Sequence, residues 1–130
     1  MSIAPSQRLQ LLLERKLDTF EKLEIVLVLR AAGTSLTMSE LAVQLQVGRD
    51  VLRRVAEEVA ASGVIELIDG DAVRLEPATW EAELAEAEHI YETQPTTLIN
   101  VLSRIAMQRI RSLAARTFAD AFRIRRKKGD

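Results

Sequence analysis

The sequence predicts a mainly α fold with one β-hairpin. Three features carry that expectation. Two stretches place Asp18 or Thr37 three residues before a glutamate, each opening an apolar run with helical period. Glycines at 33, 48, 63 and 70 fall where such periods stop. An Asp69-Gly70 pair separates two segments of alternating hydrophobicity.

Taken in order, residues 5–16 place Leu9, Leu12 and Leu13 in a narrow apolar stripe, which predicts a first helix. Asp18, Thr19, Phe20 and Glu21 then read as a capping box, with the Asp18 carboxylate on the early amides, so a second helix starts near Thr19. Its residues Phe20, Leu23 and Ile25 to Leu29 are apolar nearly all round, which predicts a core helix ending at Gly33. Thr37 and Glu40 form another capping box before Leu41, Ala42 and Leu45, a helix of about two turns. After the short link Gln46-Val47-Gly48, residues 49–62 carry Leu52, Val55, Ala56 and Val59 at helical spacing. Two short helices across a tight turn make a helix-turn-helix. All four glycines are expected at positive φ, where a residue without Cβ is unstrained.

Ile65 and Leu67 before the Asp69-Gly70 turn, and Val73 and Leu75 after it, alternate with polar residues and predict the hairpin, which Pro77 ends. Residues 78–92 hold good helix formers and glutamates at 81, 83, 86, 88 and 92, leaving a thin apolar face of Trp80, Leu84, Ala87 and Tyr91. Trp80 and Tyr91 are expected to pack this solvated helix onto the preceding domain. Pro95 breaks it. From Thr97 to about Ile124, a band including Leu98, Leu102, Ile105, Ile110 and Leu113 predicts one long helix of about 40 Å. One domain of this size cannot cover such a helix, so part of it is expected to meet another chain. The organisation is thus an N-terminal helix (1–17), a central helix-turn-helix and hairpin domain (18–77), and an acidic helix followed by a long dimerisation helix with a basic tail (78–130).

Composition narrows the function classes. The 130 residues contain no Cys and one His, which removes disulfides, thiolate metal sites and cysteine nucleophiles. The longest apolar run, Ile25 to Leu29, is far short of the roughly 20 residues that span a bilayer. The start of the chain shows no secretory pattern, so a cytoplasmic protein is expected. Neither a phosphate-cradling glycine loop nor a nucleophile elbow is present, and an enzyme is not expected. His89 with Glu81, Glu88 and Glu92 lacks a second strong ligand set, so no metal or other cofactor is expected. Net charge is −1, yet residues 1–98 hold 9 basic and 17 acidic side chains whereas residues 99–130 hold 9 and 2. Such asymmetry reflects an interaction tail or two faces that attract.

Leu41, Ala42, Leu45, Val47, Gly48 and Leu52, followed by Val59 and the run Ser62-Gly63-Val64-Ile65-Glu66, resemble the pattern of bacterial winged helix-turn-helix regulators. The MarR-like, ArsR-like and PadR-like groups show a similar string, and no one of them is singled out. The resemblance implies a DNA-binding transcriptional regulator acting as a homodimer, with residues 49–62 as the helix that enters the major groove. Arg49 and Arg53 are then the candidates for guanine contacts, because a guanidinium fork matches O6 and N7. Arg54, Ser39 and Arg74 would touch phosphate, as would the basic run Arg123, Arg125, Arg126, Lys127 and Lys128 acting as an arm.

The same helix exposes Asp50, Glu57 and Glu58, and the hairpin carries Glu66, Asp69, Asp71 and Glu76 against Arg74 alone. A wing facing phosphate is ordinarily basic. The alternative is therefore a protein-interaction module on the same fold, an adaptor that does not bind DNA specifically. The basic tail likewise admits several readings: a phosphate or acidic-partner contact, a solvated helix end favoured by the dipole, a membrane-surface helix, or a face that packs internally on the glutamate helix. The expected partners are double-stranded DNA, a second copy through the C-terminal helix, or another protein, with no membrane. Phe118 and Phe122, four apart, read as core or dimer contacts.

Overall fold

The computed structural model describes residues 4–77 and 79–128, with side chains described as far as residue 121. Among these the elements run α1 (Gln7–Arg15), α2 (Phe20–Ala32), β1 (Leu36–Thr37), α3 (Met38–Leu45), α4 (Arg49–Ala61), β2 (Ile65–Ile68), β3 (Ala72–Leu75), α5 (Glu81–Thr93) and α6 (Pro95–Lys128). The fold is mainly helical with a small three-stranded antiparallel sheet in the order β1-β3-β2.

Local chemistry explains most of the boundaries. Ser6 caps α1 by accepting from the Leu9 amide, and Gly33 ends α2 in the left-handed region at φ 69°. Thr37 and Glu40 form the reciprocal capping box of α3, with both bonds made. At α2 the expectation needs correction, because the N-cap is Thr19, whose hydroxyl accepts from the Lys22 amide. A hydroxyl at the cap leaves the Asp18 carboxylate to make ion pairs instead.

Another correction concerns the turn between α3 and α4. Gly48 is not in the left-handed region; it is the N-cap of α4 at φ −67°. Gln46 takes the positive φ, at 56°. The chain thus reverses one residue after α3 ends, and the extended residue that starts α4 is glycine without needing to be.

The sheet exceeds a hairpin because Leu36 and Thr37 add a third strand beside β3, in the register Leu36↔Val73 and Thr37↔Ala72. Two residues are too few for alternation to reveal. In the hairpin, Ile65 faces Leu75 and Glu66 faces Arg74, and Asp69 and Gly70 both take positive φ at the turn. The helix expected from residue 78 begins at Glu81, with Ala78 outside the described residues.

One apolar cluster reaches from α1 to the start of α6: Leu9 and Leu13 of α1, Leu23 and Leu29 of α2, Leu52 and Val59 of α4, Val73 of β3, Ile90 of α5 and Leu98 of α6 all belong to it. Among the described residues, no polar or charged residue is buried. Residues of α5 meet that core through Leu84, Ala87 and Ile90. Tyr91 stays at the rim, its ring 6.3 Å from that of Phe20, and Trp80 lies under the Lys16 ammonium at 5.4 Å. α6 starts two residues before the expected Thr97, because Pro95 suits the first helical position, and it continues to Lys128. At 34 residues it is about 51 Å long. The backbone of the basic run is therefore helical rather than an extended arm.

Candidate nucleic-acid interface

The candidate surface is built by α3, the Gln46–Gly48 turn, α4 and the β2–β3 hairpin. The amide of Val47 donates to the Ala42 carbonyl at 3.2 Å and that of Leu52 to Gly48 at 3.0 Å, which locks the turn and the first turn of α4. Leu52, Ala56 and Val59 bury one face of α4. The opposite face exposes Arg49, Asp50, Arg53, Arg54, Glu57 and Glu58. Gly48 offers no side chain to cap the α4 amides.

Arg49 and Arg54 are exposed with no side-chain hydrogen bond or ion pair among the described residues. Ser39 is exposed in the first turn of α3. Arg53 differs: it donates to the Gly70 carbonyl at 3.4 Å and faces the Asp71 carboxylate at 3.6 Å. Arg74 pairs with its cross-strand neighbour Glu66 at 2.7 Å. The Arg123, Arg125, Arg126, Lys127 and Lys128 side chains lie outside the described residues.

Asp71 is the residue that sequence reasoning undervalued. Its carbonyl accepts from the Met38 amide at 2.8 Å, so it holds the start of α3 while its carboxylate faces Arg53 on α4. One residue of the hairpin turn thereby ties together both helices and the sheet. Nothing in the local pattern marks it, since an aspartate after Asp69-Gly70 reads only as turn polarity.

Charge on this surface is unbalanced. From Met38 to Glu76 the chain carries eight carboxylates against four arginines, and the two arginines nearest the hairpin are already matched to acids. Glutamates of α5 are answered elsewhere: Arg30 of α2 bonds Glu81 at 2.8 Å and faces Glu88 at 3.4 Å. Those contacts, the Glu81 hydrogen bond first, raise the Arg30 pKa further. Among the described residues, the ion pairs of α5 run to α2.

Two clefts lie away from the exposed face of α4. One, of about 230 Å³, is lined by Glu24, Leu27, Val28, Ala31, Gln44, Glu88, Tyr91 and Glu92. Burial, and secondarily the nearby Glu21, raises the Glu24 pKa above the usual carboxylate range. The other, of about 440 Å³, runs between the start of α2 and α6 and is lined mainly by apolar atoms of Phe20, Ile99, Leu102 and Ala106, with Asp18 at its edge. Among the described residues no group of three or more His, Asp or Glu is arranged to hold a metal. No described helix is long and apolar enough to cross a membrane. Comparison of the chain with models of protein families, with curated proteins and with solved structures returned no match.

Proposed function

We propose that this chain is a winged helix-turn-helix transcriptional regulator that binds double-stranded DNA as a homodimer. The observation that supports it most is the exposed face of α4, where Arg49, Arg53 and Arg54 all lie in the first two turns. They follow a short α3 across a locked turn. In such units the N-terminal part of the second helix reaches base edges in the major groove. Arg49 and Arg53, one helical turn apart, would read guanine, while Arg54 and Ser39 would hold phosphate.

The Arg53–Asp71 pair does not preclude this role. Both side chains are about half exposed, at 48% and 54%, and an exposed ion pair contributes only about 0–1 kcal/mol. A guanine edge would displace Asp71 from Arg53 at little cost. Arg74, already matched to Glu66, adds little affinity. Each phosphate neutralised by an arginine or lysine contributes about −0.9 to the log-log salt slope of binding.

Anisotropy of a labelled mixed-sequence duplex, titrated from low to physiological salt with the full chain, tests the reading. Salt-sensitive binding that is lost in the Arg49→Ala/Arg53→Ala variant is the expected result. The acid excess from Met38 to Glu76 favours a second reading, a protein-interaction module on the same fold. Absence of binding by the unaltered chain even at low salt would overturn the first and leave the second.

A further inference from the structure

The arginines of α6 stand apart from the surface that α4 builds. Between residues 99 and 121 the chain holds Arg104, Arg109, Arg111 and Arg116 against Asp120 alone. All four arginines are exposed. At about 100° per residue, their positions lie within about 80° of the direction midway between Gln108 and Ser112. Asp120 lies about 100° from that direction, and Ile110 on the opposite side of the helix. From Arg104 to Arg116 the row covers about 18 Å along the axis.

One of the four is already engaged. Arg109 donates to the Glu14 carbonyl at 2.8 Å and pairs with Asp18, which fixes α6 to the end of α1. Arg104, Arg111 and Arg116 make no hydrogen bond or ion pair among the described residues. The same holds for Arg15 in the last turn of α1. Arg15 lines a cleft of about 390 Å³ between the two helices, together with Gln108, Arg109 and Ser112. Arg104 lines the adjoining cleft, which shares Glu14, Ile105 and Gln108 with the first. Glu14 is the one carboxylate on either.

We propose that this α1–α6 edge holds the phosphate backbone of double-stranded DNA, with Arg15, Arg104, Arg111 and Arg116 as the contacting side chains. This rests on the DNA reading above and adds the cations that carry its affinity. Charge complementarity is the argument. From Met38 to Glu76 the chain carries eight carboxylates against four arginines, and Arg53 and Arg74 are already matched to acids. Non-specific affinity comes from counterions released as phosphates are neutralised, so it needs cations in excess. The α1–α6 edge has that excess, and a guanidinium fork suits two phosphate oxygens at once. Base contacts from α4 then supply sequence preference while α6 supplies strength. Because Ile110 lies on the opposite side of α6, a second copy placed there leaves these arginines free.

Anisotropy of a labelled mixed-sequence duplex with the full-length chain tests the assignment. The three α6 arginines are exposed and unpaired, so Arg104→Gln/Arg111→Gln/Arg116→Gln is expected to keep the far-ultraviolet spectrum of the unaltered chain. It should flatten the log-log salt slope by about 2.7, so that a roughly fourfold rise in salt weakens its binding about fortyfold less than that of the unaltered chain. Lysine at the same three positions should preserve the slope, since it keeps the charge. A lysine variant as flat as the glutamine one would overturn the assignment. So would a glutamine variant with an unchanged slope, and if Arg49→Ala/Arg53→Ala abolishes binding in that case, the α4 reading stands alone. A flattened slope in the glutamine variant, with Arg49→Ala/Arg53→Ala binding as before, would uphold α6 and overturn base reading by α4. No binding by the unaltered chain at low salt, or binding only to vesicles of anionic lipid, would overturn both.

Discussion

At position 18, a carboxylate whose spacing suits a helix cap instead joins distant parts of the chain. Thr19 takes the cap, and Asp18, 11% exposed, bonds Lys22 at 2.9 Å and pairs with Arg109 of α6. A partly buried carboxylate with two cationic partners is worth more than an exposed pair, because water screens it less, although Lys22 keeps a second partner in Glu58 at 3.2 Å. Asp18→Asn is expected to lower stability by about 1–2 kcal/mol, read as a shift in the urea midpoint at constant slope. Arg109→Ala, at a side chain 55% exposed, should cost less. The glycines give a second residue-scale contrast. Gly48 sits at φ −67° with open space around an added Cβ, so Gly48→Ser supplies the missing cap and raises stability by a few tenths of a kcal/mol, about 0.3. Gly63 at φ 88° also has space, but a side chain is strained there, and Gly63→Ser is expected to destabilise by about 1 kcal/mol. Thermal melts of the two variants, shifting in opposite directions, check both.

Among the elements, α3 depends most on a single local motif. It spans eight residues, and Thr37 serves at once as its N-cap and as half of β1. Thr37→Ala removes the acceptor for the Glu40 amide and should lower stability by about 1 kcal/mol. The backbone pairing to Ala72 survives, so the sheet is retained in the far-ultraviolet spectrum. Capping boxes are legible because they are set by neighbours three residues apart, which is why α3 was predicted with its cap. β1 was not legible: its pairing with β3 joins residues about 36 apart in the chain, and two residues carry no periodic pattern. The hairpin was legible because its turn and both strands are contiguous. At α6, periodicity located the helix, but one band of apolar residues cannot tell a face turned to the core from one turned to solvent. The helix has both, and only the packing of Leu98 to Ile105 separates them.

For the molecule as a whole, a single core spanning α1 to α6 means that the N-terminal helix and the C-terminal helix are not appendages. Leu9 and Leu98, 89 residues apart in the chain, are both fully buried in it. Leu98→Ala is expected to cost about 2–5 kcal/mol, and the effect should be global. Unfolding followed by the fluorescence of Trp80, the single tryptophan, and by far-ultraviolet dichroism should therefore coincide in one transition. Separate transitions would mean that α5 and α6 unfold apart from the central residues.

The sequence by itself determined the helices, the hairpin, one complete capping box and the charge division of the chain, since each depends on residues within a few positions of one another. It also picked out Arg49, Arg53, Arg54 and Arg74 as the cations of the candidate surface. Tertiary structure alone decided how those cations are matched. Arg53 meets Asp71 and Arg74 meets Glu66, whereas Arg49 and Arg54 stand exposed. It alone decided that Glu81 and Glu88 of α5 turn to Arg30, and that α6 leaves the core after Ile105. The reason is the same in each case: a charge or an apolar face is legible along the chain, but its partner is fixed by contacts between residues tens of positions apart.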